Sequence, residues 1–118
     1  MPAPDRGPYR LSALGKVDMA MQRTAALLRA AAVWIDAHPR DDASDVALRV
    51  RLAAEDTARQ VLDEVGCALG AAAFCRDACF ARMAADLPVF VRQSHAERDF
   101  AALGERIAGS SGDAGWSL

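Results

Sequence analysis

The feature that most constrains this chain is a run of apolar residues at helical spacing near its N-terminus. They recur in steps of three, four and seven, at Leu11, Leu14, Met21, Ala25, Leu28, Ala32 and Ile35. Such steps place side chains on one face of an α-helix, and Asp18 is the single polar residue on that stripe. We predict a helix from about Leu11, with Ser12 as N-cap, to His38, because Pro39 disfavours helical backbone in the residue before it.

Composition limits what such a helix can pack against. The chain has 118 residues, enough for one domain, and 53% are hydrophobic, but many of these are alanines and only 6% are aromatic. Alanine buries little area, so a core of this kind needs close helix packing or a partner surface.

The net charge of −2 without a basic run argues against a nucleic-acid partner. No apolar run is long enough for a membrane span, and the start lacks a signal sequence, which indicates a cytoplasmic protein.

A second helix is expected after the polar loop at residues 39–44. Its N-cap is Asp42 or Ser44, and it weakens or ends at Gly66 and Gly70. Its apolar face carries Val46, Val50, Ala53, Thr57, Val61 and Val65. These residues repeat the period of the first helix and so lie on one face of the second.

Two more helices complete the predicted fold. The third runs from about Ala73 to Asp86, and Pro88 then turns the chain into a short LPVFV run. Its inward residues are Phe74, Phe80, Met83 and Leu87. The fourth begins near His95 and carries Phe100, Leu103 and Ile107. The sequence therefore predicts an all-α, antiparallel bundle of about four helices over residues 11–108, with a flexible leader (1–10) and a flexible tail (109–118).

The cysteines and histidines are candidate metal ligands. Cys67, Cys75 and Cys79 match no usual C-x₂-C zinc pairing, even with His95 added, so we expect packed core thiols and no metal. His38, at the end of the first helix, is expected to have a structural role at the helix dipole.

The polar segment RQSHAERD, residues 92–99, has two interpretations. Ser94 followed by Glu97 is typical of a capping box at a helix N-terminus. Alternatively, His95 is a catalytic or ligand-contacting residue among Arg92, Gln93 and Ser94, with its imidazole kept neutral by the helix N-terminus. The spacing leaves both interpretations open.

Two segments carry a resemblance to a known family. They are residues 11–36, LSALGKVDMAMQRTAALLRAAAVWID, and residues 70–104, GAAAFCRDACFARMAADLPVFVRQSHAERDFAALG. Both resemble the C-terminal helical bundle of acyl-CoA dehydrogenase-like flavoproteins, in the branch of flavin-dependent monooxygenases and hydroxylases. The family's N-terminal helical domain, its β-sandwich and the first helix of this bundle have no counterpart in the sequence. The resemblance implies FAD or a reduced flavin shared with a flavin-domain partner chain or within a homo-oligomer, and an acyl thioester or aromatic small molecule as substrate.

The resemblance also implies roles for single residues. Gly70 corresponds to the first glycine of the family's glycine turn near FAD, while the rest of that motif falls on alanines. His95 corresponds to a histidine that hydrogen-bonds near the reactive edge of the flavin, which makes it the candidate catalytic residue. Arg92, Gln93 and Ser94 join Gly70 as candidate cofactor contacts.

Two functions from different classes follow from these observations. In the first, the chain is part of a flavoprotein oxidoreductase and completes a flavin and substrate site with a partner. In the second, it is a non-redox helical bundle for association or small-ligand binding. A truncation product without function is a third alternative. Because the first helix of the bundle is missing, we expect exposed apolar surface that self-association or a partner covers.

Overall fold

The computed structural model describes residues 7–110, and it contains helices and short connections but no strand within that range. The helices are α1 (Pro8–Ala37), α2 (Ser44–Leu69), α3 (Ala71–Arg76), α4 (Ala78–Arg92) and α5 (Ala96–Gly109). The all-α prediction is confirmed. Most of the predicted leader and tail, residues 1–6 and 111–118, lies outside the described residues.

The first helix starts earlier than predicted. Pro8 is its first residue and Gly7 its N-cap, so the prediction of Ser12 as N-cap is wrong. Proline suits this position because its backbone angle is already helical and its missing N–H would have no partner there. The C-terminal end agrees with the prediction: His38 is the C-cap, and its Nδ1 lies 2.8 Å from the Trp34 carbonyl while the two rings stack 4.5 Å apart.

α1 packs mainly on α2, through a face other than the predicted apolar stripe. We call the packed face the inner stripe; all its residues are buried or half-buried, and they are Ala13, Val17, Ala20, Thr24, Leu27, Ala31 and Trp34. The predicted residues Leu11, Leu14, Met21, Leu28 and Ile35 are instead exposed. α1 is apolar on more than one side, and its small residues allow the closer approach of the two helices.

Hydrogen bonds and ion pairs show that α1 and α2 are antiparallel. At the centre of their contact, the buried hydroxyls of Thr24 and Thr57 lie 2.6 Å apart. Towards one end Lys16 Nζ lies 3.4 Å from Glu64, and Arg23 lies 3.4 Å from Asp56. The predicted face of α2 is confirmed, because none of its six residues is exposed.

The opposite side of α2 is covered by α4 and α5, which follow one another along it. Phe80 of α4 and Val65 of α2 line one cavity between these helices. The end of α4 lines another cavity together with Arg51 of α2. Farther along, Arg106 of α5 makes a 2.8 Å ion pair with Asp45 at the start of α2. Both helices therefore run antiparallel to α2, and the molecule is an open stack with α1 on one side and α4–α5 on the other.

The predicted third helix is divided in two. Asp77 leaves the helical conformation, and its carboxylate accepts a 3.0 Å hydrogen bond from the Phe80 N–H, which caps α4. α4 then continues through Pro88 to Arg92, although we predicted that Pro88 would end it. Val91 in its last turn is buried, and this packing outweighs the backbone hydrogen bond that proline lacks. Phe74 and Met83 are exposed, contrary to the prediction that they face inward.

The prediction of Asp42 or Ser44 as the N-cap of α2 is wrong. Ala43 occupies the N-cap position, but the Asp42 carboxylate accepts hydrogen bonds from the hydroxyl and, at 2.9 Å, the N–H of Ser44. These bonds, with a smaller contribution from the nearby Arg106, hold the pKa of Asp42 below its usual value.

The cysteines do not form part of a core. Cys67, Cys75 and Cys79 are all exposed, so the prediction of packed thiols is wrong. Aromatic rings pack near the turn between α2 and α3 instead. Phe74 and Phe80 meet edge to face at 5.0 Å, and the Phe74 ring lies against Gly66.

Candidate functional site

The groove between α2 and α4 holds two adjoining cavities. One, of about 530 Å³, is lined almost entirely by apolar side chains; we call it the apolar cavity, and its lining includes Val61, Val65, Phe80, Met83 and Phe90. The other, of about 390 Å³, is the arginine cavity, lined by Arg59 and Arg92 together with Asp63 and Cys67. Leu62 and Leu87 line both, so the two spaces share a wall. This arrangement suits a ligand with an apolar body and an anionic group.

The two arginines of the arginine cavity are available to bind an anion. Neither Arg59 nor Arg92 makes an ion pair or a side-chain hydrogen bond within residues 7–110. By contrast, Arg82 at the edge of the apolar cavity lies 3.6 Å from Asp86. Guanidinium groups bind carboxylates and phosphates through paired N–H donors.

His95 lies in a separate, shallow depression of about 450 Å³ at the start of α5, with Arg59, Glu97 and Arg98 around it. Its carbonyl accepts the Asp99 N–H at 2.9 Å, but within residues 7–110 its ring has no hydrogen-bond partner. A histidine that acts as a general base normally has a second group that orients its ring. The structure thus places His95 in an exposed position, and no side chain within residues 7–110 orients its ring.

The capping-box interpretation of this segment is wrong. His95, rather than Ser94, is the N-cap of α5, and no side chain within the described part of the chain caps the helix. The Ser94 hydroxyl donates a 2.8 Å hydrogen bond backwards to the Val91 carbonyl, at the end of α4. Ser94 and Gln93 line a third cavity, of about 350 Å³, between Glu55 and Phe90.

The structure therefore separates the predicted site residues instead of bringing all of them together. Arg92, the Gln93–Ser94 pair and His95 each line a different cavity around the α4–α5 junction. Gly70 belongs to none of these linings; it forms the turn between α2 and α3 with φ 70° and ψ −174°.

Sequence reasoning missed the residue that connects two of these cavities. Arg59 lines both the arginine cavity and the His95 depression. In the sequence it was one of several charged residues on the polar face of the second helix, and nothing in that pattern separated it from Arg49 or Arg51. Only the packing of α4 and α5 against α2 shows which arginine borders the groove.

Two carboxylate oxygens near this junction are buried without a hydrogen-bond partner among the described residues 7–110, namely Glu55 Oε2 and Asp99 Oδ2. The other oxygen of Glu55 lies 3.2 Å from Arg51 Nε. Within residues 7–110, no three His, Cys, Asp or Glu side chains are grouped to hold a metal ion. Nor does any of α1 to α5 combine the length and apolar composition needed to cross a membrane.

No protein-family model, curated protein or solved structure matches this chain. The resemblance to the acyl-CoA dehydrogenase-like bundle thus stays a prediction from the two segments quoted above.

Proposed function

We propose that this chain is a helical association module, whose exposed apolar faces pack on another protein surface. The observation that carries the proposal is how little of the chain is buried by itself. Within residues 7–110 the buried residues are six: Ala20, Thr24, Ala31, Leu52, Thr57 and Val91. Fourteen large apolar side chains in the same range are exposed: eight on α1, three on α4 and one each on α2, α3 and α5.

The shape of the chain supports the same proposal. The Cα radius of gyration is 18.1 Å, and the molecule measures 57 × 30 × 24 Å. A compact domain of this length has a radius of about 13–14 Å. Since burial of each leucine or phenylalanine stabilises by about 1.5–3 kcal/mol, a partner surface over several of them supplies much of the stability that the open stack lacks.

Sedimentation equilibrium, combined with binding of a dye that fluoresces on apolar surface, tests this function. We expect an associated species at micromolar concentration and, on dilution, a helical monomer that binds the dye. A monomer that keeps its helix content and binds no dye would contradict the proposal, because its apolar faces would then be covered within the chain itself.

A second candidate is the completion of a flavin or acyl-thioester site with a partner chain. The observation that favours it is the position of Arg59 and Arg92 beside the apolar cavity, since FAD and acyl-CoA thioesters both combine an apolar or aromatic body with phosphates. By resemblance, His95 would then lie towards the reactive edge of a flavin.

Titration with FAD and with reduced FMN, followed by absorbance and fluorescence, tests this second function. We expect saturable binding that Arg92→Ala weakens by roughly tenfold, the loss of one charge-assisted contact. Arg76→Ala is the matched control, because Arg76 is exposed and lines neither cavity. His95→Ala in the same titration tests the flavin-edge role. Equal binding by the Arg92 and Arg76 variants, or no binding by the unmodified chain, would count against this candidate.

A further inference from the structure

We infer that the exposed face of α1 is a self-association surface, on which a second copy of this chain packs antiparallel. This inference rests on the proposed association function and names its partner. The face is the predicted apolar stripe, which we call the outer stripe: Leu11, Leu14, Asp18, Met21, Ala25, Leu28, Ala32 and Ile35.

The spacing of the outer stripe is that of a coiled-coil seam. Its steps alternate strictly between three and four residues over the full length of α1. This period of 3.5 keeps a seam directed at one partner helix while the two wind around each other. Its leucines nevertheless face solvent; Leu14, for example, is 64% exposed. A seam of this length without an occupant within residues 7–110 indicates a helix that packs there from another chain.

The outer stripe lies where a second copy of the chain can contact it while α1 remains packed on α2. Seven of the eight outer-stripe residues directly follow an inner-stripe residue, as Met21 follows Ala20. Successive residues of an α-helix are rotated by about 100°, so the inner and outer stripes are about 100° apart around the helix axis. A helix in a bundle commonly contacts two neighbours in this way.

The outer stripe is complementary to itself in the antiparallel direction. When two copies of α1 are placed antiparallel about Arg23, residues whose numbers sum to 46 lie opposite each other. Large side chains then meet small ones, because Leu14 lies opposite Ala32 of the second copy and Met21 opposite its Ala25. Leu11 lies opposite Ile35 of the second copy. Facing layers of large and small residues fill a seam without voids.

Charge decides between the antiparallel and the parallel arrangement. Asp18 lies in the outer stripe and Arg29 at its edge, and neither has an ion-pair or hydrogen-bond partner within residues 7–110. In the antiparallel pair, Asp18 lies opposite Leu28 of the second copy, and Arg29 of that copy is the adjacent residue. In a parallel pair, Asp18 would face Asp18, two like charges within an apolar seam.

The first test compares two methionines of α1. Met21 belongs to the outer stripe and is 53% exposed, whereas Met19 lies outside both stripes and is 71% exposed. We expect Met21→Glu to raise the dimer Kd by on the order of 100-fold, since two apolar burials are lost and two charges enter the seam. Met19→Glu adds the same charge to the same helix and is expected to leave the Kd within about threefold. Circular dichroism of both variants checks that the helices remain.

The second test exchanges the two charges. Asp18→Arg places two arginines on each copy and Arg29→Asp places two aspartates, so each variant alone is expected to be mainly monomeric. An equimolar mixture of the two restores both opposite-charge pairs and is expected to dimerise, as is the double variant Asp18→Arg/Arg29→Asp. Within one helix these residues are eleven positions apart, about 16 Å, which excludes rescue inside a single chain.

The outcomes separate this inference from the proposed function. Association that Met21→Glu and Met19→Glu affect equally, or charge variants whose mixture does not dimerise, would overturn the inference and leave association through another face. A chain that stays monomeric at 100 µM would overturn it as well. The proposed function is then decided separately by whether that monomer binds the apolar dye.

Discussion

Two glycines four residues apart, Gly66 and Gly70, differ in what a side chain would meet. Gly70 has φ 70° and ψ −174°, a conformation that is essentially restricted to glycine, and it forms the turn where α2 ends. Gly66 lies inside α2 with helical backbone, and a Cβ there would lie 3.1 Å from the Phe74 ring tip. Gly70 is required for its backbone conformation, whereas a Cβ at Gly66 would meet only the tip of an exposed ring.

We therefore expect opposite results from the same substitution at these two positions. Gly70→Ala should lower the free energy of unfolding by about 1–3 kcal/mol, because alanine resists this conformation. Gly66→Ala should raise it by up to about 1 kcal/mol, since alanine favours helix and the 46% exposed Phe74 ring can move away. Urea denaturation followed by circular dichroism measures both. A Gly66→Ala loss as large as that of Gly70→Ala would show that Phe74 is held rigidly.

At the scale of the element, the contact between α1 and α2 depends on a pair of hydroxyls. Thr24 and Thr57 bond each other, and each also lies 3.4 Å from a carbonyl of the opposite helix, Ala53 and Ala20 respectively. The remaining inner-stripe residues are mostly small and apolar. The hydroxyl pair therefore fixes the register of two helices whose other contacts would tolerate a shift.

Substitution by valine, which keeps the shape of threonine, tests this pair. Thr24→Val and Thr57→Val should each lower the free energy of unfolding by about 1–2 kcal/mol, because each leaves the other hydroxyl with a poorer partner. The double variant should cost less than the sum of the two, since no buried hydroxyl then remains. Thermal denaturation of the three variants completes the cycle. Strictly additive losses would show that the two hydroxyls act independently.

A comparison of the predicted and observed helices shows which features the spacing of apolar residues can predict. The existence of α1, α2 and α5, the inward face of α2 and the end of α1 at His38 followed from spacing and proline chemistry. The inward face of α1 did not, because a helix with apolar residues on two adjacent stripes gives no local reason to choose one. α4 continues through Pro88 because Val91 is buried against α2. This contact joins residues far apart in the sequence, so the local pattern around Pro88 does not predict it.

At the scale of the whole molecule, the candidate site was predictable in part. Sequence reasoning selected the α4–α5 junction, and the structure places cavities around it. It did not predict that the residues of this segment face different cavities, since neighbours in a chain diverge when one helix ends and another begins. Arg59 comes from the opposite wall, and only the three-dimensional packing brings it to Arg92.

The position of α2 between two layers has a consequence for how the molecule opens. α1 and α4–α5 each pack on α2 and have little contact with one another, so either layer can detach while the other stays folded. Loss of α2 removes both layers at once. Local opening should therefore divide the chain into two independent halves that share one helix. A partner that takes the place of a detached layer would meet the apolar residues of α2 that this layer had covered.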